Sequence, residues 1–280
     1  GLLGPNGAGK STTIGMLTTT VRITDGRASI AGIDLGIDPI SVKKKIAVVP
    51  QGINLDRSLT ARENLVYHAK YFGIPKEERE ARAQELLELM ALSKRASDYP
   101  ADFSGGMARR LQIARALMHN PQVLFLDEAT TGLDPQSRLM IWHKIRDLND
   151  SGQTIFLTTH HMEEADQLCD RVAIMDKGKI LTMDTPARLK EATPGGNVVD
   201  LKTLDHFEDL PNWLKAEVPG LDRVESENNT HRLFLDRPEE ALANIVEVTR
   251  KHNVKLQSVQ LHPVTLEDVF VHMTGRVLRE

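Results

Sequence analysis

Close to its start the chain reads Gly4-Pro5-Asn6-Gly7-Ala8-Gly9-Lys10-Ser11-Thr12, and much of its architecture follows from this stretch. The residues fit the pattern G-x-x-x-x-G-K-[ST], in which glycines allow a tight turn whose N–H groups point at phosphate oxygens. A glycine-rich turn that matches by chance is the alternative, and the helix-like Ser-Thr-Thr-Ile-Gly-Met-Leu that follows argues against it. The sequence therefore predicts a phosphate-binding loop (P-loop) that opens a helix near Lys10 and continues it through residue 22.

Two side chains of this loop carry chemistry beyond the backbone. Lys10 brings a mobile cation to the β- and γ-phosphates of a nucleotide, and the Ser11 hydroxyl is a hard oxygen ligand for Mg²⁺. A P-loop also needs a strand before it, for which only Gly1-Leu2-Leu3 is present. Because the chain has no initiator Met, we expect its start to be truncated.

Composition narrows the class of protein. With 280 residues, of which 26% are charged and 40% hydrophobic, the chain can form one large α/β domain and a smaller one. A net charge of -4 gives no reason to expect nucleic acid as a partner, and one cysteine excludes an internal disulfide. No apolar run approaches the length of a membrane span, so another chain would have to supply any such spans.

A polar side chain follows the next buried strand, predicted at 45–49. Because Pro50 cannot continue a central ladder, Gln51 should project into the loop beyond the sheet. There Gln51 could reach both a metal ion and a nucleotide-bound water, although polar residues after strands are more often simply solvated.

Residues 58–92 have the pattern of a helical insertion. Ser58 or Thr60 can cap its first helix, and Pro75 opens its second, which has acidic residues in its first turn. We expect the charges of this insertion to be solvated.

A strongly amphipathic helix begins after Ser104. Ser104 is its predicted cap, while Gly105 and Gly106 leave the first-turn amides uncovered. The simpler interpretation is an ordinary N-cap. The more specific interpretation is a second anion-binding site, because amides without partners at a helix start bind phosphate well. We expect Arg109 and Arg110, on the same helix, to lie on a solvated face rather than to form a basic patch.

Two carboxylates emerge at the end of a fully buried strand, predicted at 123–126. Because adjacent strand residues point to opposite sides, Asp127 and Glu128 should have different functions. Asp127 can hold the Mg²⁺ shell, and Glu128 can polarise water as a general base. Acidic residues after a strand are common in α/β proteins, so this interpretation depends on the P-loop.

The remainder of the first domain is predicted as alternating elements. They are a turn at 131–135, a helix at 136–150, a strand at 154–159, a helix at 163–169 and a β-hairpin at 171–183. His160 follows the strand and could hydrogen-bond a γ-phosphate, whereas a lone histidine at a strand end is more often structural.

A break at 193–197 separates two predicted domains. The first spans 1–193 and includes a helical subdomain at about 53–118, and the second spans 197–280. The second has the order strand, helix, strand, strand, helix, strand, which is the split βαβ, ferredoxin-like order. It has no nucleophile or metal-cluster pattern, so we expect a regulatory or dimer-contact domain.

Together these motifs resemble the ATP-binding subunit of an ATP-binding cassette (ABC) transporter over nearly all of residues 1–190. Six motifs stand in the family's order. Gly4 to Thr12 resembles Walker A, Gln51 the Q-loop glutamine, and Phe103-Ser104-Gly105-Gly106-Met107 the signature motif that separates this family from other P-loop ATPases. Leu124 to Glu128 resembles Walker B, Gly132-Leu133-Asp134 the D-loop, and Thr159-His160 the switch histidine.

The resemblance implies an α/β fold class: a P-loop NTPase (RecA-like) core with a helical insertion, plus a small C-terminal α+β ferredoxin-like domain. It also implies an ATPase that uses ATP and Mg²⁺. By that resemblance ATP would be held by Gly4, Pro5, Asn6, Gly7, Ala8, Gly9, Lys10, Ser11, Thr12, Gln51, Ser104, Gly105 and Gly106. Mg²⁺ would be held by Ser11, Gln51 and Asp127, and catalysis carried by Lys10, Glu128 and His160.

Two departures from the family pattern bear on nucleotide affinity. Met107 replaces the glutamine that usually ends the signature motif, which removes a side-chain contact to the ribose. The aromatic residue on which the family stacks adenine would precede Gly1, so we expect weakened adenine affinity while the phosphate cradle remains.

The tail narrows the subfamily. Leu266-Glu267-Asp268-Val269-Phe270 and Met273-Thr274-Gly275-Arg276 resemble the tail of bacterial drug-resistance exporter ATPases, in which the membrane part is a separate chain. The resemblance implies a membrane-spanning permease subunit as partner and a peripheral position on the cytoplasmic face of the cell membrane. It also implies a second copy arranged head to tail, so that each Ser104 loop closes on the other copy's ATP.

Two other functions compete with transport. One is a non-transport ABC ATPase, but repair-type members insert a long coiled coil where only about fifty residues separate Gln51 from Ser104 here, and ribosome-acting members carry two cassettes. The other is a catalytically inactive, nucleotide-binding regulatory module, against which the intact Lys10, Asp127 and Glu128 argue.

Overall fold

The computed structural model describes residues 1–193, 197–235 and 238–274. Contacts divide the chain into two compact units, Gly1–Thr182 and Met183–Glu280. The domain assignment with a break at 193–197 stays a prediction. Residues 194–196 of that break, and Gly275 and Arg276 of the exporter-like tail, lie outside the described residues.

The first unit is organised on a mainly parallel sheet. Its strands are β1 Leu2–Leu3, β2 Ser29–Ile30, β3 Ile33–Asp34, β4 Ile46–Val49, β5 Val123–Asp127, β6 Thr154–Thr159, β7 Val172–Asp176 and β8 Lys179–Asp184. Six of them form one sheet in the order β4-β5-β6-β1-β7-β8. The pairs β4–β5, β5–β6, β6–β1 and β1–β7 are parallel, so the carboxyl ends of β4, β5, β6 and β1 share one edge. The P-loop and the loops that carry Gln51, Glu128 and His160 leave from that edge.

The helices of this unit follow the predicted series, with two differences. They are α1 Lys10–Leu17, α2 Pro39–Lys45, α3 Ala61–Tyr71, α4 Lys76–Leu89, α5 Gly105–Ala116, α6 Pro135–Asp150 and α7 Met162–Leu168. Helix α2 was not predicted. The prediction that the P-loop helix continues through residue 22 was wrong: the hydroxyls of Thr18 and Thr20 bond back to the carbonyls of Ile14 (2.8 Å) and Gly15 (3.0 Å) and end the helix.

The helical insertion begins at a well-defined cap. Of the two predicted caps, the structure uses Thr60, which forms a capping box with Glu63, while Ser58 bonds Asp56 instead. Helices α3, α4 and α5 then share one core, in which Leu65 and Leu111 are completely buried. Among the described helices, none combines the length and the apolarity that crossing a bilayer requires.

The second unit has the predicted strand–helix order. Its elements are α8 Pro186–Glu191, β9 Asn197–Thr203, α9 Leu210–Glu217, β10 Leu221–Glu227, β11 Thr230–Leu235, α10 Pro238–Lys251, β12 Leu256–Pro263 and α11 Leu266–Thr274. Strand β10 is antiparallel to β11, and β9 to β12. Arg232 of β11 donates to Asp200 of β9 at 2.9 Å, which places β11 beside β9. Helices α8 and α11 were not predicted.

The tail motif has a structural function within this unit. Asp268 of α11 is only 1% exposed and accepts hydrogen bonds from the Thr265 amide (2.8 Å) and hydroxyl (2.7 Å) at the start of the helix. Arg232 also donates to it, at 3.3 Å. The buried acid therefore completes a capping box with Thr265, whose hydroxyl accepts from the Asp268 amide at 3.3 Å, and it ties α11 to β11.

Candidate active site

The loop between β1 and α1 forms the predicted cradle. The Gly4 amide donates to the Thr159 carbonyl at 3.3 Å, and a Cβ on Gly4 would collide with the Met175 carbonyl oxygen. Gly7 and Gly9 have φ values of 80° and 108°, which L residues rarely adopt. Glycine is thus required at Gly4 by the close approach of strand β7 and at Gly7 and Gly9 by backbone conformation.

The residues of the cradle differ in exposure. Of its residues, Asn6, Gly7, Ser11 and Thr12 are exposed, Pro5 and Gly9 are half-buried, and Gly4, Ala8 and Lys10 are buried. The start of α1 therefore presents the Ser11 hydroxyl to solvent beside a positive helix terminus.

Three predicted residues converge on one carboxylate, that of Glu128. Lys10 Nζ lies 3.2 Å from Glu128 Oε1 and also donates to the carbonyls of Gly4 (2.8 Å) and Pro5 (3.1 Å). Gln51 Nε2 donates to Glu128 Oε2 at 3.2 Å, and His160 Nδ1 lies 3.3 Å from the same oxygen without hydrogen-bond alignment. The P-loop, the loop after β4, the end of β5 and the end of β6 thus meet at one point.

The backbone of Glu128 explains how its side chain reaches the P-loop. Strand β5 ends at Asp127, and Glu128 has a φ of 47°, in the left-handed region that non-glycine residues rarely occupy. The Glu128 amide donates to the Thr158 carbonyl at 3.1 Å, which holds this turn against β6. Strand alternation, on which the sequence argument relied, therefore does not apply to Glu128, and a strained turn separates the two carboxylates instead.

The oxygen atoms beside the cradle are suitable ligands for Mg²⁺. Asp127 is half-buried and accepts one hydrogen bond at Oδ1, from the Thr158 hydroxyl at 2.6 Å. Carboxylate and hydroxyl oxygens with phosphate are the ligand set that Mg²⁺ prefers. Among the described residues, no group of three or more His, Cys, Asp or Glu is placed to hold a metal ion.

The signature loop lies on the surface and packs against α6. Ser104 is exposed and accepts from the Met107 amide at 3.3 Å as the cap of α5. Gly105 is also exposed, whereas Gly106 is buried so closely that a Cβ would lie 2.6 Å from Ser137 Cβ. Gly106 therefore lies against Ser137 of α6, and Gly105 faces Leu133 in the turn before that helix.

We expect Gly106→Ala to destabilise the packing of α5 on α6 by about 1–3 kcal/mol, as overpacked sites do. Ser137→Gly removes the atoms that a new Cβ would meet, so the double variant should recover at least about 1 kcal/mol relative to the sum of the single changes. Urea unfolding of the four chains measures this coupling. Additive effects would contradict the contact.

Arg109 and Arg110 were wrongly assigned to a solvated face. Arg109 is 3% exposed and donates to the carbonyls of Pro50, at 2.6 Å, and Gln51. Arg110 is half-buried and donates to the Met90 carbonyl at 2.6 Å. Helix α5 is covered on both of these sides, and burial lowers the pKa of the Arg109 guanidinium. The spacing of Arg109 and Gln112 on one side of a helix was the available signal.

Glu164 is a second residue that sequence reasoning missed. This carboxylate of α7 is 3% exposed and accepts from the Thr130 hydroxyl (2.6 Å) and from Trp142 Nε1 (3.1 Å). It therefore joins the segment that follows Glu128 to the helix that follows His160. No sequence pattern marks it, because its partners come from distant parts of the chain.

Comparison with known proteins identifies proteins to which this chain is similar. The protein family described as ABC transporter matches residues 1–131. The linearmycin resistance ATP-binding protein LnrL of Bacillus subtilis (strain 168) is 37% identical over 286 residues, which cover 100% of this chain and 90% of the relative. The Nod factor export ATP-binding protein I of Burkholderia thailandensis is 40% identical over 281 residues, covering 100% and 89%. A solved dimeric ATP-binding cassette in a post-hydrolysis state, bound to ADP and Pi, has a TM-score of 0.59 and 29% identity, covering 66% of this chain and 83% of that one.

Proposed function

This chain belongs to the ABC transporter family, as one of its ATP-binding members, and we propose that its ATP hydrolysis powers export through a separate membrane-spanning subunit. The observation that carries the proposal is the convergence of Lys10, Gln51 and His160 on the Glu128 carboxylate. Both curated relatives described above are ATP-binding proteins of resistance or export systems, which supports export as the process served.

ATP would bind with its phosphates in the P-loop cradle. Lys10 then exchanges its partner, because phosphate oxygens offer the ammonium more negative charge than the Glu128 carboxylate and two carbonyls do. Ser11, Asp127 and Gln51 would hold Mg²⁺, which neutralises phosphate charge when bound. Binding thus releases Glu128 from its ion pair.

Glu128 would act as general base in hydrolysis. Once Lys10 has left it, the carboxylate can accept a proton from the water that attacks the γ-phosphorus, and the bond to the β-phosphate oxygen breaks to leave ADP and phosphate. Gln51 and His160 lie within 3.3 Å of Glu128 Oε2, so they can orient the base and the water between it and the phosphate.

A second copy would complete the site. The amides of Gly105 and Gly106 begin a helix at the surface, and the exposed Ser104 is free to face another molecule. A head-to-tail pair would place each Ser104 loop over the other copy's ATP, and the dimeric state of the solved cassette supports this arrangement. Closing around ATP and opening after hydrolysis would then be the power stroke.

The membrane subunit would dock on an apolar surface of the helical insertion. Ile53, Tyr67, Tyr71 and Phe72, here called the α3 patch, are exposed, and Tyr71 is 90% exposed. A cleft of about 460 Å³ between α3 and the loop after Gln51 adjoins the patch. Such exposed aromatic groups mark interaction surfaces. This partner would place the chain peripherally on the cytoplasmic face of the membrane, and nucleic acid is not an expected partner.

The docking proposal is tested with Tyr71→Asp. We expect this change to reduce co-purification with the proposed membrane-spanning partner by at least about 10-fold, as loss of an aromatic anchor does at interfaces. ATP hydrolysis by the isolated chain should stay within about two-fold of the parent, since surface changes away from the site have small effects. Tyr99→Asp, a half-exposed tyrosine outside the patch, is the matched control. Equal co-purification of both variants would refute docking at this patch.

A further inference from the structure

We propose that Arg109 and Gln112 are positioning residues that couple the loop after β4 to the signature loop. Through them, ATP bound at the P-loop would control how firmly the Ser104 loop of the same chain engages a second copy. The inference rests on the proposed function, because it assumes that Ser104 faces the partner's nucleotide.

The first argument is the unusual setting of the Arg109 charge. Arg109 is 3% exposed, and none of the ion pairs among the described residues includes it. A buried cation is costly unless its hydrogen bonds are satisfied. Arg109 satisfies its two terminal nitrogens with the carbonyls of Pro50 and Gln51 and with Gln112 Oε1, at 2.8 Å. A planar guanidinium holds these three oxygens from two separate nitrogens in a fixed geometry, which the single nitrogen of a lysine ammonium on a flexible stem does not reproduce.

Gln112 binds the next part of the same loop, and we call Arg109 and Gln112 together the clamp. Its Nε2 donates to the Gly52 carbonyl at 2.9 Å and to Asn54 Oδ1 at 2.8 Å. Arg109 and Gln112 therefore hold three consecutive backbone carbonyls, those of residues 50, 51 and 52, from one side of α5. A loop of largely exposed residues is in this way fixed to a helix rather than to the sheet it leaves.

The clamp stands between two functional groups. On one side, the Gln51 side chain reaches Glu128 at 3.2 Å, so any exchange of partners at Glu128 changes the restraint on Gln51. On the other side, Arg109 lies little more than one helical turn after Ser104, on a helix without a break between them. A displacement of the Gln51 backbone would be passed to the exposed start of α5 through rigid groups.

Arg110 provides a natural contrast on the same helix. It is also an arginine that binds backbone carbonyls, but those of Met90, at 2.6 Å, and Ala91, at the end of α4. Removing Arg110 therefore perturbs the packing of α5 without touching the loop after β4. If Arg109 is only structural, removing either arginine should affect dimerisation equally. If Arg109 couples the two loops, removing Arg109 should weaken dimerisation more than removing Arg110.

The test uses the full chain carrying Glu128→Gln, so that bound ATP persists. ATP affinity is measured with a fluorescent ATP analogue at concentrations where the chain is monomeric, and ATP-dependent dimerisation is measured by sedimentation. We expect Arg109→Gln to weaken dimerisation by about 10-fold or more while monomer ATP affinity changes by less than about 3-fold, within the range usual for coupled sites. Arg109→Lys should not restore dimerisation, and Gln112→Leu should weaken it in the same direction. Arg110→Gln should leave both quantities as in the parent.

The possible results distinguish failure of the coupling through Arg109 from failure of the proposed head-to-tail dimer. Dimerisation of Arg109→Gln equal to that of the parent, or an equal loss in Arg110→Gln, would overturn the coupling. So would an equal loss of monomer ATP affinity and dimerisation, which would make Arg109 part of the nucleotide site alone. A Glu128→Gln parent that binds ATP and stays monomeric would overturn the head-to-tail pair itself, and the coupling with it.

Discussion

Glu128→Gln should hydrolyse ATP about 10² to 10⁴ times more slowly than the parent chain, which is the usual contribution of a general base. The amide has the size of the carboxylate and can still accept the hydrogen bond from Gln51, but it cannot accept a proton from water. We therefore expect near-normal ATP binding and a stable ATP-bound dimer. Phosphate release and sedimentation with and without ATP measure the two properties.

The control for this change is Glu163→Gln. Glu163 is an exposed carboxylate near the start of α7, so its loss removes one negative charge without altering the contacts of Lys10 or Gln51. Its rate should match that of the parent. Hydrolysis by Glu128→Gln at the parent rate would remove Glu128 as the base and would leave its contacts with Lys10 and His160 without a catalytic meaning.

Lys10→Ala should weaken ATP binding by about 100-fold or more, because two charge-assisted hydrogen bonds to phosphate of about 1.5 kcal/mol each are lost. The same change leaves the Glu128 carboxylate, which is nearly buried, without its cation. We therefore also expect a loss of folding stability, since breaking a buried ion pair on one side leaves an uncompensated charge. Equilibrium nucleotide titration and urea unfolding measure the two effects.

A double variant separates these two consequences. Lys10→Ala with Glu128→Gln removes both charges, so stability should recover toward that of the parent while ATP binding stays weak. Lys179→Ala, which removes an exposed lysine of β8, should change neither quantity. ATP affinity within a few-fold of the parent in Lys10→Ala would exclude Lys10 from the phosphate site.

The pairing of Lys10 with Glu128 also bears on how the proposed ATP binding would affect the base. Lys10 is 4% exposed and has three oxygen partners, so its charge is compensated within the chain. Phosphate would take over that compensation and free the base at the same step. In the proposed mechanism, substrate binding and activation of Glu128 would thus be linked by competition for one ammonium group.

The local structure of this chain could be predicted from its sequence. The P-loop, the strand Thr154–Thr159, the caps at Ser104 and Thr60 and the strand–helix order of the second unit all follow from short-range rules of periodicity, capping and turn chemistry. These rules act over a few residues, so they are written in contiguous sequence. The choice between Ser58 and Thr60 already depended on a side chain three positions away, that of Glu63.

Contacts between residues that are distant in sequence could be identified only from the folded structure. The left-handed turn at Glu128, the burial of Arg109 against the carbonyls of Pro50 and Gln51, and the bonds of Glu164 to Thr130 and Trp142 each depend on elements that meet only in three dimensions. An arginine on a helix face has the same local sequence signature whether water or a loop covers it. The burial of a side chain and its contact partner are decided by packing between elements. Such packing leaves no periodic pattern in the sequence from which it could be predicted.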